Sequence, residues 1–144
     1  MNIKELQLFT PNLKAQTKFF TEILELDIAE SSDNSVSFQI GHSILKLVDR
    51  KAFTPYHYAI TIPANQEKEA LQWLKKRVDI LKYEEEEIQY FDFWDAYAIY
   101  FYDADGNIGE LIARKNLDND SDRPFDKNAL LEISEIGIPT VDIS

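Results

Sequence analysis

Two stretches of this chain pass through the same order of elements, and that repeat limits the possible folds more than any other feature of its 144 residues. From Ile3 to Phe9 the sequence is short, apolar and partly alternating, as a strand requires; Pro11-Asn12 break it and open a helix whose apolar spacing continues through Leu13, Phe19, Phe20, Ile23 and Leu24. "LDIAE", "SVSFQIG" and "SILKLVD" follow as three short strands, with turn signals at Asp33-Asn34 and Gly41-His42. Beyond the linker "DRKAFTP" the order restarts. "YHYAITIP" alternates as a strand, "NQEKEALQWLKKR" carries acidic residues first and basic residues last at helical spacing, and "EEIQYFDF", "AYAIYFYD" and "IGELIAR" read as three more strands. Each half is therefore βαβββ. Neither can bury both its helix and its sheet face alone, so residues 1–51 and 55–114 are expected to pack as one α+β domain.

Residues 115–144 stand apart from the repeat. A polar stretch, "NLDNDSDRPFDKN", leads into "LLEISEIGIPTVDIS", which reads as an extra C-terminal strand. Aligning "ELQLFTPNL" (5–13) with "EIGIPTVDI" (135–143) brings Glu, two aliphatics, Thr, Asn/Asp and Leu/Ile into register. The tail thus looks like the first strand of a further module; the plainer alternative is a strand that adds to a sheet edge or to a dimer partner.

Charge and composition narrow the partners. With 26 acidic residues against 15 basic ones the formal net charge is −11, the opposite of what phosphate neutralisation needs, so nucleic acid and anionic membrane surfaces are not expected. There is no cysteine, which removes disulfides, thiol nucleophiles and thiolate metal ligands. No segment approaches the ~18 apolar residues of a membrane span, and the N-terminus lacks a secretory pattern, so a cytoplasmic location is expected. The run Glu84 to Glu87 is expected to be a solvated face or a strand entry.

One motif invites a metal reading: "YFYDADGNIGELIAR", residues 100–114. A calcium loop of the EF-hand type needs glycine sixth and glutamate twelfth between helices. Counting from Asp103, those positions are Ile108 and Arg114, and both flanks are strands. "DADGN" is instead a hairpin turn, since Asp, Gly and Asn tolerate the positive φ that such turns demand. Glu110 then stands three residues past the turn's end on an apolar strand, where an inward carboxylate needs a partner.

These residues resemble a known family. A βαβββ pair closing on F-x-D-x-D-G-N-x-x-E-L is similar to the vicinal oxygen chelate superfamily, which includes glyoxalase I, extradiol dioxygenases, fosfomycin-modifying enzymes and bleomycin-binding proteins. The resemblance covers residues 3–114 and rests on "LQLFTPNLKAQTKFFTEILEL", "YHYAITIP" and above all "FYDADGNIGEL". It implies a half-open, curled mixed sheet around a central cavity, with metal ligands contributed by the first and last strands of the modules. Carried over by position, the second module's first-strand histidine matches His57 in "His57-Tyr58-Ala59" and the last-strand glutamate matches Glu110. The first module's first-strand ligand, usually histidine and seven residues before the helix-opening Asn12, falls on Glu5, and a fourth position falls on Lys46 or Leu45.

Two outcomes stay open for this set. Glu5, His57 and Glu110 suit a divalent ion such as Mn²⁺, Fe²⁺, Zn²⁺ or Ni²⁺, which would polarise vicinal oxygens of a small substrate in a lyase, isomerase or dioxygenase, with Glu110 doubling as base. Alternatively the Lys46 ammonium pairs with a carboxylate, and the protein is a metal-free module that sequesters a small aromatic or cationic compound. In the aromatic-dense stretch Tyr90 to Tyr102, Trp94, Tyr97 and Tyr100 are the candidates to line the ligand cavity. The basic and hydroxyl residues of the fosfomycin-modifying members are missing there, where this chain has Tyr90, Trp94 and Ala98. His42 belongs to a turn and is expected to face solvent. Such modules pair within a chain or exchange between chains, which makes a homodimer the expected assembly.

Overall fold

A computed structural model of the protein describes residues 3–51 and 55–137. The middle of the inter-module linker (52–54) and the later part of the tail echo (138–144) lie outside the described residues. The observed order is β1 (Glu5–Thr10), α1 (Leu13–Lys18), β2 (Asp27–Ser31), β3 (Ser35–Ile40), β4 (Ser43–Asp49), β5 (His57–Ile62), α2 (Glu67–Lys75), β6 (Gln89–Phe91), β7 (Ala96–Tyr102), β8 (Ile108–Arg114) and β9 (Glu132–Gly137). The mixed α+β architecture with two βαβββ modules and an extra C-terminal strand follows directly from the repeat.

Local chemistry explains the helices. Asn12 caps α1, its side-chain oxygen accepting the Ala15 N–H at 3.1 Å, and the last turn widens into a π-turn over Phe19–Ile23 that sets Phe20 into the core. Glu67 and Glu69 sit in the first turn of α2 and Lys75 in its last, complementing the helix dipole, while Ala70, Leu71, Trp73 and Leu74 face inward. No described helix is long and apolar enough to cross a membrane.

The strands form two sheets, ordered β1-β4-β3-β2 and β6-β7-β8-β5-β9. In each, the module's first and last strands are parallel neighbours (β1 with β4, β5 with β8), so the intervening helix crosses over one face. One core fills the space beneath the helices, built on Phe20, Phe38, Leu45, Leu47, Tyr58, Ile60, Leu74, Ile99 and Phe101. Each fully buried Leu, Ile or Phe side chain there contributes ~1.5–3 kcal/mol.

β9 does two things at once. It lies antiparallel along β5, and its Ile133 pairs with Ile3 just before β1, so it stitches the two sheets together. Ser43 ties that seam: its hydroxyl donates to the Ile3 carbonyl and accepts the Ile133 N–H at 2.8 Å. Gly41, at φ +55°, leaves the room that the Leu131 carbonyl fills.

Candidate functional site

The "DADGN" turn fixes the register on which the site depends. The Asp103 carboxylate accepts the backbone N–H of Asp105 (2.9 Å) and Asn107 (3.0 Å) on one oxygen, and the Tyr58 hydroxyl (3.1 Å) and Asn107 amide (2.9 Å) on the other. Asn107 in turn accepts the Tyr56 N–H at 2.8 Å, clamping the start of β5 to the start of β8. His57 is thereby set opposite Ile108 and Ala59 opposite Glu110. The loop is a structural clamp, and its burial, together with the Asp103 charge, holds the Tyr58 hydroxyl well above its ordinary pKa.

Alternation then sorts the side chains. On β8, Leu111 and Ala113 enter the core while Glu110, Ile112 and Arg114 face a cavity of about 720 Å³. His57 and Thr61 of β5, Tyr100 of β7, Phe91 at the end of β6 and Trp94 beyond it, Leu117, and Glu132, Ser134, Glu135 and Ile136 of β9 complete its walls with Ile3. At its floor His57 Nε2 lies 2.8 Å from Glu110 Oε1; Glu110 is only 5 % exposed. Tyr100 stands directly across the ladder from Glu110, and burial, then the charges of Glu110 and Glu135, push its hydroxyl pKa up. At the other end of the cavity Arg114 donates to Thr61 Oγ1 (3.1 Å), Ser134 Oγ (3.2 Å) and Glu135 Oε2 (2.6 Å).

Of the residues singled out from sequence, His57, Glu110, Tyr100 and Trp94 meet at this cavity. Glu5 and Lys46 do not: both belong to the other sheet, Glu5 exposed at the start of β1 opposite Ile44, Lys46 half-buried on β4 opposite Gln7 and Ser37. Tyr97 points the other way from Tyr100, because one residue separates the faces of a strand by a single step and three place them on opposite sides. It packs on Tyr90 at 4.7 Å, with the Lys115 ammonium over its ring. The sequence reading passed over Arg114 and Glu135. Arg114 was recoverable, being four residues beyond Glu110 and hence on its face.

The donor chemistry admits a metal only in part. An imidazole nitrogen and a carboxylate oxygen 2.8 Å apart suit neighbouring positions on one ion with bonds of ~2.0–2.2 Å. Among the described residues, however, no three acidic or histidine side chains converge as a metal centre requires.

Comparison with known proteins places the chain. No protein-family profile matches it. It is 32% identical over 108 residues to the metallothiol transferase FosB of Staphylococcus haemolyticus, an alignment covering 69% of this chain and 74% of that protein. The chain belongs to the vicinal oxygen chelate superfamily. Solved structures share the fold of this superfamily member at low identity. A lactoylglutathione lyase from Agrobacterium tumefaciens superimposes with a TM-score of 0.64 at 19% identity, covering 81% of this chain and 96% of its own. A glyoxalase/bleomycin resistance protein/dioxygenase from Nocardioides gives 0.64 at 21%, covering 85% and 89%. An integron cassette protein from the Halifax Harbour sewage-outfall metagenome gives 0.68 at 19%, covering 77% and 97%.

Proposed function

We propose that this superfamily member is a divalent-metal-dependent enzyme acting on a small molecule with vicinal oxygens, with His57 and Glu110 as two of the metal's ligands. The observation that carries this reading is the 2.8 Å pair of those two side chains at the floor of a cavity large enough for a small substrate. A nearly buried carboxylate is costly unless matched by positive charge, and a divalent ion supplies it. When bound, such an ion polarises substrate oxygens. The chain's own residues would orient the substrate against the Tyr100 and Trp94 rings and hold a proton at the Glu110 carboxylate or the His57 ring. The relative named a metallothiol transferase supports metal dependence. The remaining donor would be Glu5 of a second copy, brought to the cavity mouth in a homodimer, because within one chain Glu5 sits on the far sheet.

A metal-free binding role is the second reading, and one observation favours it. Glu110 already has the His57 ring as a hydrogen-bond partner at 2.8 Å, which can satisfy the carboxylate without an ion. Metal content after growth and purification in Mn²⁺-, Fe²⁺-, Zn²⁺- or Ni²⁺-supplemented medium separates the two. The enzyme reading expects about one ion per chain in the wild type and a large loss in His57→Ala and Glu110→Gln. Substoichiometric metal in every medium, with thermal stability indifferent to EDTA, would overturn it.

A further inference from the structure

Arg114 is the one lysine or arginine among the described residues lining the cavity, and its surroundings are arranged to hold a guanidinium without neutralising it. One terminal nitrogen is positioned by two hydroxyls, Thr61 Oγ1 at 3.1 Å and Ser134 Oγ at 3.2 Å, which take its protons but carry no charge. Only the other terminal nitrogen meets a negative group, the Glu135 carboxylate at 2.6 Å. That carboxylate differs from the rest of the cluster. Its side chain is 62 % exposed against 23 % for Arg114, and it hangs from the sheet's edge strand, next to a register break between Ala59 and Ile60. A largely solvent-screened ion pair of this kind is weak, so a competing anion displaces it easily.

From this we infer that Arg114 is the anchor for an oxyanion, a carboxylate or phosphate carried by the substrate, and that Glu135 occupies its place until the substrate arrives. The planar fork of the guanidinium matches the two oxygens of such a group. Geometry gives the substrate its polarity: the anionic end lies at Arg114 and the reacting end at His57 and Glu110, with the Ile112 side chain between them on the same face of β8. Without Arg114 the cavity would repel anions, since Glu110, Glu132 and Glu135 all line it. With the fork free, the same cavity selects them. The inference rests on the cavity being the substrate site, but not on a metal being there.

The experiment titrates succinate and inorganic phosphate, with succinamide as the uncharged control, into wild type, Glu135→Gln, Arg114→Gln and Arg114→Lys by calorimetry in EDTA. Glu135→Gln should bind one of the anions about two- to five-fold more tightly than wild type, the range set by the weak ion pair it removes. Arg114→Gln should lose that binding, Arg114→Lys should weaken it, and succinamide should not bind. Whether succinate or phosphate responds identifies the group. Equal anion affinity in wild type and Glu135→Gln, or unchanged binding in Arg114→Gln, overturns the assignment. If Arg114→Gln does not fold, the Glu135→Gln comparison decides alone. His57→Ala removes the proposed metal site but leaves the anion anchor intact, so loss of metal without loss of anion binding separates this inference from the catalytic one.

Discussion

The His57–Glu110 pair can be tested as a unit by a double-mutant cycle of His57→Phe, Glu110→Gln and the double variant in metal-free buffer. Glu110 is almost fully buried, so removing the imidazole takes away the one side-chain hydrogen bond its carboxylate makes among the described residues. A hydrogen bond to a charged group contributes ~1.5–3 kcal/mol, and truncating one partner strands the other. The His57 side chain is 24 % exposed, which lets water compensate in part and moves the expected coupling toward ~1–2 kcal/mol. His57→Phe alone should cost ~2–3 kcal/mol, Glu110→Gln ~1 kcal/mol because the amide keeps the volume, and the double variant less than their sum. Urea unfolding followed by far-UV circular dichroism measures all four corners. A coupling energy below ~0.3 kcal/mol would refute the claim that this contact is an energetic pair, and with it the argument that the carboxylate is held for chemistry.

Three further outcomes are expected. The Tyr58 hydroxyl stays protonated in the fold to higher pH than in the unfolded chain, so stability is full below about pH 10 and falls above it by ~1.4 kcal/mol per pH unit, with a smaller, screened share from Tyr100; urea midpoints for Tyr58→Phe between pH 9 and 11 should show a shallower slope. In Gly109→Ala the new methyl would overlap the Phe101 ring, which is wholly buried against Phe19, and overpacking of that kind costs ~1–3 kcal/mol in thermal or urea unfolding. Gly41→Ala should cost more, since its methyl meets the Leu131 main chain and no side chain can swing aside; amide hydrogen exchange should show β9 losing protection before the rest of its sheet.

Much of this architecture was written in spacing. The repeat announced two βαβββ units, the acidic-to-basic gradient announced α2, and "DADGN" announced the hairpin that sets Glu110. Spacing could not say which sheet each first strand joins, so Glu5 and His57, alike by position in the repeat, end on different sheets. Nor could it show that the second strand of the second module stops at Phe91. There a tight helical turn over Asp92–Trp94, closed by Asp95 at φ +46°, turns Phe93 and Trp94 out to the surface. The tail echo placed a carboxylate at the head of a strand. Its meeting with Arg114, twenty-one residues earlier, is a tertiary fact.

The seam of Ile3, Ser43 and Ile133 has a consequence for how the molecule comes into being. Ser43 and Ile133 are ninety residues apart, so a ribosome must emit both modules before the stitch between the sheets can close. Until then β5 presents a bare edge and the Ile3 N–H lacks its acceptor, the Ile133 carbonyl that it meets at 2.8 Å in the finished fold. Long-range pairings of this kind form late and leave an interval in which open strand edges can find the wrong neighbour. A nascent chain stalled before residue 131 should therefore be the species most prone to aggregate, and the one most in need of a chaperone.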